Sequence, residues 1–517
     1  MGVTRGLVAA GAVATAQAGA RALSSGGNAT DAVCAAAMTA FVAEGLLCSP
    51  GGGGAALVVD DAGARVLDFF AVVPGLEATA TPSHDFTNVD VDFGPTVQRF
   101  HVGKTAAAVP GALQGILQLH ARGGRLPLAE IVAPAVEAGR DGFDVGGPMA
   151  YVTGILAPII DVTPGVRALF RPGGTNPEPG TRLTNRALAD FLDTIATRGP
   201  TEAVRAFEAR LLAEFGAAGG GLLTRADLDA YAPVWREPAR AAHRVGTFLT
   251  NPPPSSGGPL IAMGLAIADG ARLTADGFLG AAHLCESAAL LRALDRVRAT
   301  GYDAEIAEPV GAARWSGETG AARARQALAD VRRDLGSTTH ISVLTEDGAL
   351  ASLTMSNGEG CGHALGELGI QLNNFLGEED INPGGFHRLP PGTKMTTMMA
   401  PSALLSSDGR RLVLGSGGSN RIRSAILQTL LGVVVHERPL REAIEAPRVH
   451  VEGTKLWWEA PGVRDDAAAA LLAAWPDATR FDSLNLYFGG VHAVAREGDG
   501  TTHGAGDPRR GGTVARA

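Results

Sequence analysis

The chain has 517 residues, 45% of them hydrophobic but only 5% aromatic, so a large core must be filled with Ala, Val and Leu rather than rings. The net charge of −9 is built from interspersed charges of both signs, with no basic stripe carrying aromatics, which excludes nucleic acid as the expected partner. Cys34, Cys48, Cys285 and Cys361 lie far apart without C-x-x-C spacing, and the histidines form no H-E-x-x-H, so no disulfide framework, metal or cofactor is expected.

In chain order, "GLVAAGAVATAQAGARAL" predicts one buried helix over Leu7 to Leu23, closed by Gly26 and Gly27. It lacks the Leu-rich centre of an export signal, and no window has the apolar length of a membrane span, so a cytoplasmic, membrane-free protein is expected. A second helix starts with Asn28 or Thr30 as N-cap. Apolar alternation on either side of Asp60, Asp61, Ala62 and Gly63 predicts a hairpin. Helical patterns dominate from 110 to 240, including the amphipathic "TEAVRAFEARLLAEFG" and a capping-box spacing at Thr224 and Asp227.

From residue 338 strands take over: "HISVL", a turn at Glu346, Asp347 and Gly348, "ALASLTM", "RLVLGSGG" and "FGGVHAVARE". These are continuous apolar runs, buried on both faces, and two stacked sheets covered by helices on both outer sides would satisfy the mix. The segment just upstream, "GAARWSGETGAARARQALADVRRDLG", is polar and charged, so a loose connector runs straight into a buried strand. That is a natural place for a chain cut.

The strand begins with Thr338 and Thr339. A threonine hydroxyl is a poor nucleophile unless a base takes its proton, and one such base is the α-amine of the same residue when it is a chain terminus. Thr338 is internal as synthesised, so the Ser337–Thr338 bond must first be broken, and the Thr338 hydroxyl can attack its own preceding carbonyl to do so. The alternative is that both threonines are β-branched strand formers and nothing more.

Several separated stretches decide between these readings. "SSGGNATDA", "NPPPSSGGP", "STTHISVLTEDGALASLT", "GELGIQLNN", "TTMMAPS", "LGSGGSNRI", "FGGVHAV" and "DPRRGG" together resemble the γ-glutamyltransferase family, in family order and across nearly the whole chain. The resemblance implies an α+β fold, the four-layer αββα sandwich of the N-terminal-nucleophile hydrolases. It also implies a proenzyme that cuts itself into a large subunit, 1–337, and a small one, 338–517, and acts on a small-molecule amide. Carried over by residue, Thr338 is the nucleophile and Ser356 the hydroxyl that hydrogen-bonds it. Gly417 and Gly418 are the oxyanion donors, and Asn357, Glu378, Thr396 and Thr397 contact substrate.

The chain departs from the family in its acyl-binding residues. Where γ-glutamyl enzymes carry a "D-x-R-E-x-A-P"-like stretch, this sequence has "DFFAVVP", so Phe70 replaces the arginine that clamps the substrate carboxylate. A phenyl ring cannot supply a bidentate guanidinium contact, a loss of about 1.5 to 3 kcal/mol. After Asn373 and Asn374 comes Phe375 in place of a polar residue, and Glu378 stands where an aspartate binds the α-amino group. Arg99, His387, Arg388 and Lys394 are candidate substitute cations. The readings that follow are a self-processing amidohydrolase or acyltransferase for a γ-glutamyl or related amide, an amidase for a non-glutamyl acyl group, and a catalytically silent binding scaffold.

Overall fold

The computed structural model describes residues 4–78, 85–93, 97–268, 271–306, 338–382 and 384–517. The connector predicted to be cut, including Ser337, lies outside the described residues. Two large sheets dominate. The first is built from β1 (Gly6–Ala10), β2 (Gly53–Asp60), β3 (Gly63–Phe69), β4 (Val234–Arg236), β7 (Thr339–Thr345), β8 (Leu350–Ser356) and β13 (Thr513–Arg516), in the spatial order β13-β1-β7-β8-β2-β3-β4. The second is built from β5 (Ala239–His243), β6 (Gly246–Thr250), β9 (Ser402–Ser406), β10 (Arg411–Gly417), β11 (Gly490–Arg496) and β12 (Thr502–Gly506), in the order β12-β11-β10-β9-β6-β5.

The sheets face each other through β1, β7 and β8 on one side and β10 and β11 on the other. Leu7, Leu57, Leu344, Val413 and Val494 fill the space between them. On the outer face of the first sheet lie α1 (Val13–Ser24), α2 (Ala29–Ala43) and α3 (Ala112–Gly123); on that of the second, α4 (Gly257–Ile267) and α6 (Arg421–Val434), with α5 (Ala281–Val297) packed on α4. Every residue of α2 is buried, as an Ala-rich helix apolar all round must be, and its small side chains let it approach the sheet closely. Asn28 is its N-cap, in a reciprocal capping box with Asp31.

The predicted hairpin, the capping box at Thr224 and Asp227 and the strands after residue 338 all form. The helix predicted over Leu7 to Leu23 does not form as one piece. Gly6–Ala10 is a strand hydrogen-bonded to β7 on one edge and β13 on the other, and the helix starts only at Val13. A five-residue apolar run enclosed on all sides carries no periodicity to separate strand from helix. Gly11 makes the break: a side chain there would overlap the Glu44 carboxylate.

Candidate active site

The head of β7 sorts its first three side chains by strand alternation. Thr338 and His340 share the face toward the second sheet: a Cβ on Gly417 would overlap the Thr338 carbonyl oxygen, and one on Gly415 would overlap the His340 ring. Thr339 takes the opposite face, where its hydroxyl donates to Glu44 at the end of α2. His340 is bracketed by Thr354 Oγ1 at 2.8 Å and Ser342 Oγ at 2.9 Å, and burial pushes it well below the usual imidazole range. With both ring nitrogens taken by hydroxyls, it braces β7 against β8.

Thr338 Oγ1 lies 3.4 Å from Ser356 Oγ, longer than a formed O–H···O bond but within reach of a small side-chain shift. Ser356 Oγ also accepts the Gly358 N–H at 2.8 Å, which fixes the hydroxyl beside Thr338. From the C-terminal "DPRRGG", Arg510 Nη1 donates to the Thr338 carbonyl at 3.3 Å, its guanidinium lowered to about 10 by complete burial. Gly417, paired with Gly490 in the second sheet, packs directly behind Thr338; Gly418 follows with φ +119°, in the left-handed region that favours glycine.

Beside Thr338 and Ser356 opens a narrow cavity that communicates with solvent. One wall is apolar: the Phe70 and Phe375 rings stand 4.6 Å apart, with Met398, Met399 and Ile422 around them. The backbone of Phe70 is held rigidly. Its N–H donates to Asp68 Oδ1 at 3.0 Å, and its carbonyl accepts from Tyr231 at 3.0 Å and Lys394 Nζ at 2.7 Å. Lys394 also pairs with Asp68 at 3.1 Å, and burial outweighs that partner to lower its ammonium.

The other wall is polar. Glu378, Asp380, Thr396, Thr397, Ser419 and Asn420 line it, and the N-terminus of α6 abuts it, bringing the positive end of a helix dipole. Burial, and then the nearby Asp380 and Glu359, push the Glu378 carboxyl well above the usual range, and its Oε1 has no hydrogen-bond partner among the described residues. Asp380 is raised to about 7 by burial and Glu452, against the bond from Ser419 and the charge of Arg298.

Six of the nine sequence-predicted site residues therefore line one cavity: Thr338, Ser356, Phe70, Glu378, Thr396 and Thr397. Asn357 does not; its side chain turns into the 45–49 loop, where Ser49 donates to Oδ1 at 3.0 Å and Nδ2 donates to Gly45 O at 3.3 Å. Gly417 packs against the Thr338 carbonyl and Gly418 against Gly489 and Arg510; neither is on the lining. None of the four proposed substitute cations lines the cavity. Arg99 pairs with Asp90 at the surface, His387 and Arg388 are exposed, and Lys394 is engaged by Phe70 and Asp68. The cation that does line it is Arg298, just past α5, bonded to Asp303 at 2.9 Å and to Asn420 Oδ1 at 2.7 Å. Burial would lower its pKa, but Asp303 and Asp380 hold it above the ordinary value. No motif marks this arginine in the sequence; only the fold brings it to Thr338.

A buried hydroxyl at a strand head, between two stacked sheets and beside a mixed polar and apolar cavity, defines the class of N-terminal-nucleophile hydrolases. The sequence profile of the gamma-glutamyltranspeptidase family matches residues 15–517, and the chain belongs to that family of hydrolases and acyltransferases. It is 33% identical to the acylase ACY 1 proenzyme of Pseudomonas sp. (strain V22), covering 99% of this chain and 93% of that one. It is 26% identical to the glutathione hydrolase proenzyme of Bacillus subtilis (strain 168), covering 98% and 91%. Among solved structures, the cephalosporin acylase from Bacillus halodurans superposes with a TM-score of 0.81 at 23% identity, covering 99% of this chain and 96% of that one. Among the described residues, no helix is long and apolar enough to cross a membrane.

Proposed function

We propose that the chain is a proenzyme that cuts itself before Thr338 and then hydrolyses or transfers the acyl group of a small-molecule amide, with fragments 1–337 and 338–517 together forming a four-layer αββα sandwich. In processing, the Thr338 hydroxyl adds to the Ser337 carbonyl and the C–N bond breaks. That step frees the Thr338 amine and leaves Ser337 as an ester on Oγ1, which water hydrolyses to a Ser337 carboxylate and the regenerated Thr338 hydroxyl. In turnover, that amine takes the hydroxyl proton while Oγ1 bonds to the substrate carbonyl. The C–N bond breaks, the proton leaves with the amine product, and water or a second amine resolves the acyl-Thr338 ester. Gly417 and Gly418 amides, with the N-terminus of α6, are assigned the tetrahedral oxyanion, and Ser356 the hydrogen bond to the nucleophile.

The observation that carries this reading is the Thr338 hydroxyl facing Ser356 at the edge of a cavity. For the acyl group we favour an amide acid without the γ-glutamyl head: Phe70 and Phe375 make an apolar wall where a carboxylate clamp would stand. The acylase relatives at 33% identity support the same choice. A γ-glutamyl acyl group is the second reading, favoured by Glu378 and the Thr396 and Thr397 hydroxyls on the polar wall and by the glutathione hydrolase relatives.

Intact-mass spectrometry and N-terminal sequencing test the processing. A fragment beginning Thr338-Thr339-His340 supports the reading, whereas a single stable 517-residue chain returns it to a silent scaffold. A panel of acyl-p-nitroanilides then separates the acyl groups. Faster turnover of the γ-glutamyl compound than of apolar-chain acyl compounds would reverse our preference.

A further inference from the structure

Thr338 and Thr339 are adjacent hydroxyls of the same chemistry at the head of one strand, yet only one of them can serve as a defined nucleophile. Strand alternation turns them to opposite faces, and on the Thr339 face stands Glu44. Its carboxyl is fully buried at the end of α2, where Oε1 accepts the Thr15 hydroxyl of α1 at 2.7 Å and Oε2 accepts the Thr339 hydroxyl. Burial raises this carboxyl and the two hydroxyl donors offset the rise; no cation among the described residues pairs with it. A buried acid held only by hydroxyl donors is costly, and a core that needed nothing here would use an apolar residue.

The segment that follows Glu44 braces the neighbouring strand as well. Leu47 O accepts the Asn357 N–H at 3.0 Å, Gly45 O accepts Asn357 Nδ2, and Ser49 donates to Asn357 Oδ1. One six-residue stretch therefore grips β7 immediately after the nucleophile and β8 immediately after Ser356. It fixes the two strands whose hydroxyls meet 3.4 Å apart.

We propose that Glu44 is a positioning residue for the nucleophile: by engaging the Thr339 hydroxyl on the helix face, it sets the rotation of the strand head. Thr338 alone then presents its hydroxyl to Ser356 and the cavity. The inference rests on Thr338 being the nucleophile and adds the element that selects it over its neighbour. It also explains why Asn357 faces away from the cavity, since that side chain belongs to the same brace.

The test uses the purified full chain and follows the cleaved fraction with time, the N-terminus of the small fragment, and kcat and KM of the mature enzyme. Glu44→Leu and the near-isosteric Thr339→Val should each slow cleavage and lower kcat roughly 10- to 100-fold, with KM little changed, as expected when a reacting hydroxyl is misplaced by about an ångström. The double variant should be no worse than the more affected single one, because both remove the same bond. Thr339→Ser, which keeps the hydroxyl, should restore most of the rate. Wild-type cleavage and kcat in folded Thr339→Val would overturn the proposal, as would fully additive losses. If Glu44→Leu does not fold, the Thr339 pair decides alone. Thr338→Ala is the control: if that variant still cleaves, the nucleophile reading itself fails, whereas an inert Thr338→Ala beside a normal Thr339→Val removes only Glu44.

Discussion

The two sides of the cavity differ in how much freedom they leave. Around Thr338 the contacts run through backbone atoms on one partner or both: Gly417 touches its carbonyl, the Gly358 N–H holds Ser356, and the Arg510 guanidinium reaches that carbonyl from far along the chain. Across the cavity the surfaces are side chains, with Phe70 against Phe375 facing Glu378, Asp380 and Arg298. Backbone contacts cannot be exchanged without rebuilding the fold, but side chains can be swapped one at a time. The relatives of the chain include both acylases and glutathione hydrolases.

Substitutions on the nucleophile side should be the most damaging. Thr338→Ala is expected to abolish both cleavage and turnover, and Thr338→Ser to keep part of each; gel analysis and amide hydrolysis read both. Gly417→Ala comes next, because its methyl would overlap the Thr338 carbonyl and push the nucleophile aside, a loss on the order of 100-fold in kcat. An alanine there with normal kcat would break the contrast between the two sides.

On the acyl side the effects should be smaller and confined to substrate choice. Phe70→Ala removes half of the ring pair and is expected to raise KM for apolar acyl groups about tenfold, leaving cleavage at Thr338 intact. If cleavage also fails, the wall is part of the processing apparatus and the division is wrong.

The smallest effect separates the two sides by pH. Asp380, raised to about 7, binds its proton more tightly in the folded chain than in the unfolded one. Its contribution is present below about pH 4 and is lost as pH climbs through about 7. Asp507, buried between Arg448 and Arg509, behaves oppositely. Burial alone would raise it, but Arg448 and Arg509 hold it at about 2, so its contribution is present above about pH 4 and lost as pH falls toward 2. Thermal melts across pH should therefore decline on both flanks. Asp380→Asn should flatten only the neutral flank, and an unchanged slope in that variant would refute the assignment.

Much of this was legible in the sequence because it depends on local chemistry. The hairpin around Asp60 to Gly63, the Asn28 cap and the strands after residue 338 follow from turn residues and apolar runs. Thr338, Ser356 and the threonine pair at 396 and 397 were found by motif and meet in one cavity. What was missed depends on distance. Arg298 reaches the cavity from just past a helix with no marker of its own. Asn357 is assigned to substrate by resemblance but is turned away by Ser49 and Gly45, more than 300 positions earlier. The strand Gly6–Ala10 reads as helix because its partners, Thr339–Thr345 and Thr513–Arg516, lie far along the sequence.

That same strand governs what a cut before Thr338 would leave behind. β1 belongs to the longer fragment but is flanked on one edge by β7 and on the other by β13, both from the shorter fragment. The two polypeptides would be woven together like adjacent threads of a cloth, and neither could be drawn out without dismantling the sheet. Maturation would then create a new chain end while leaving a single particle, and the released amine would arise within an architecture already locked around it.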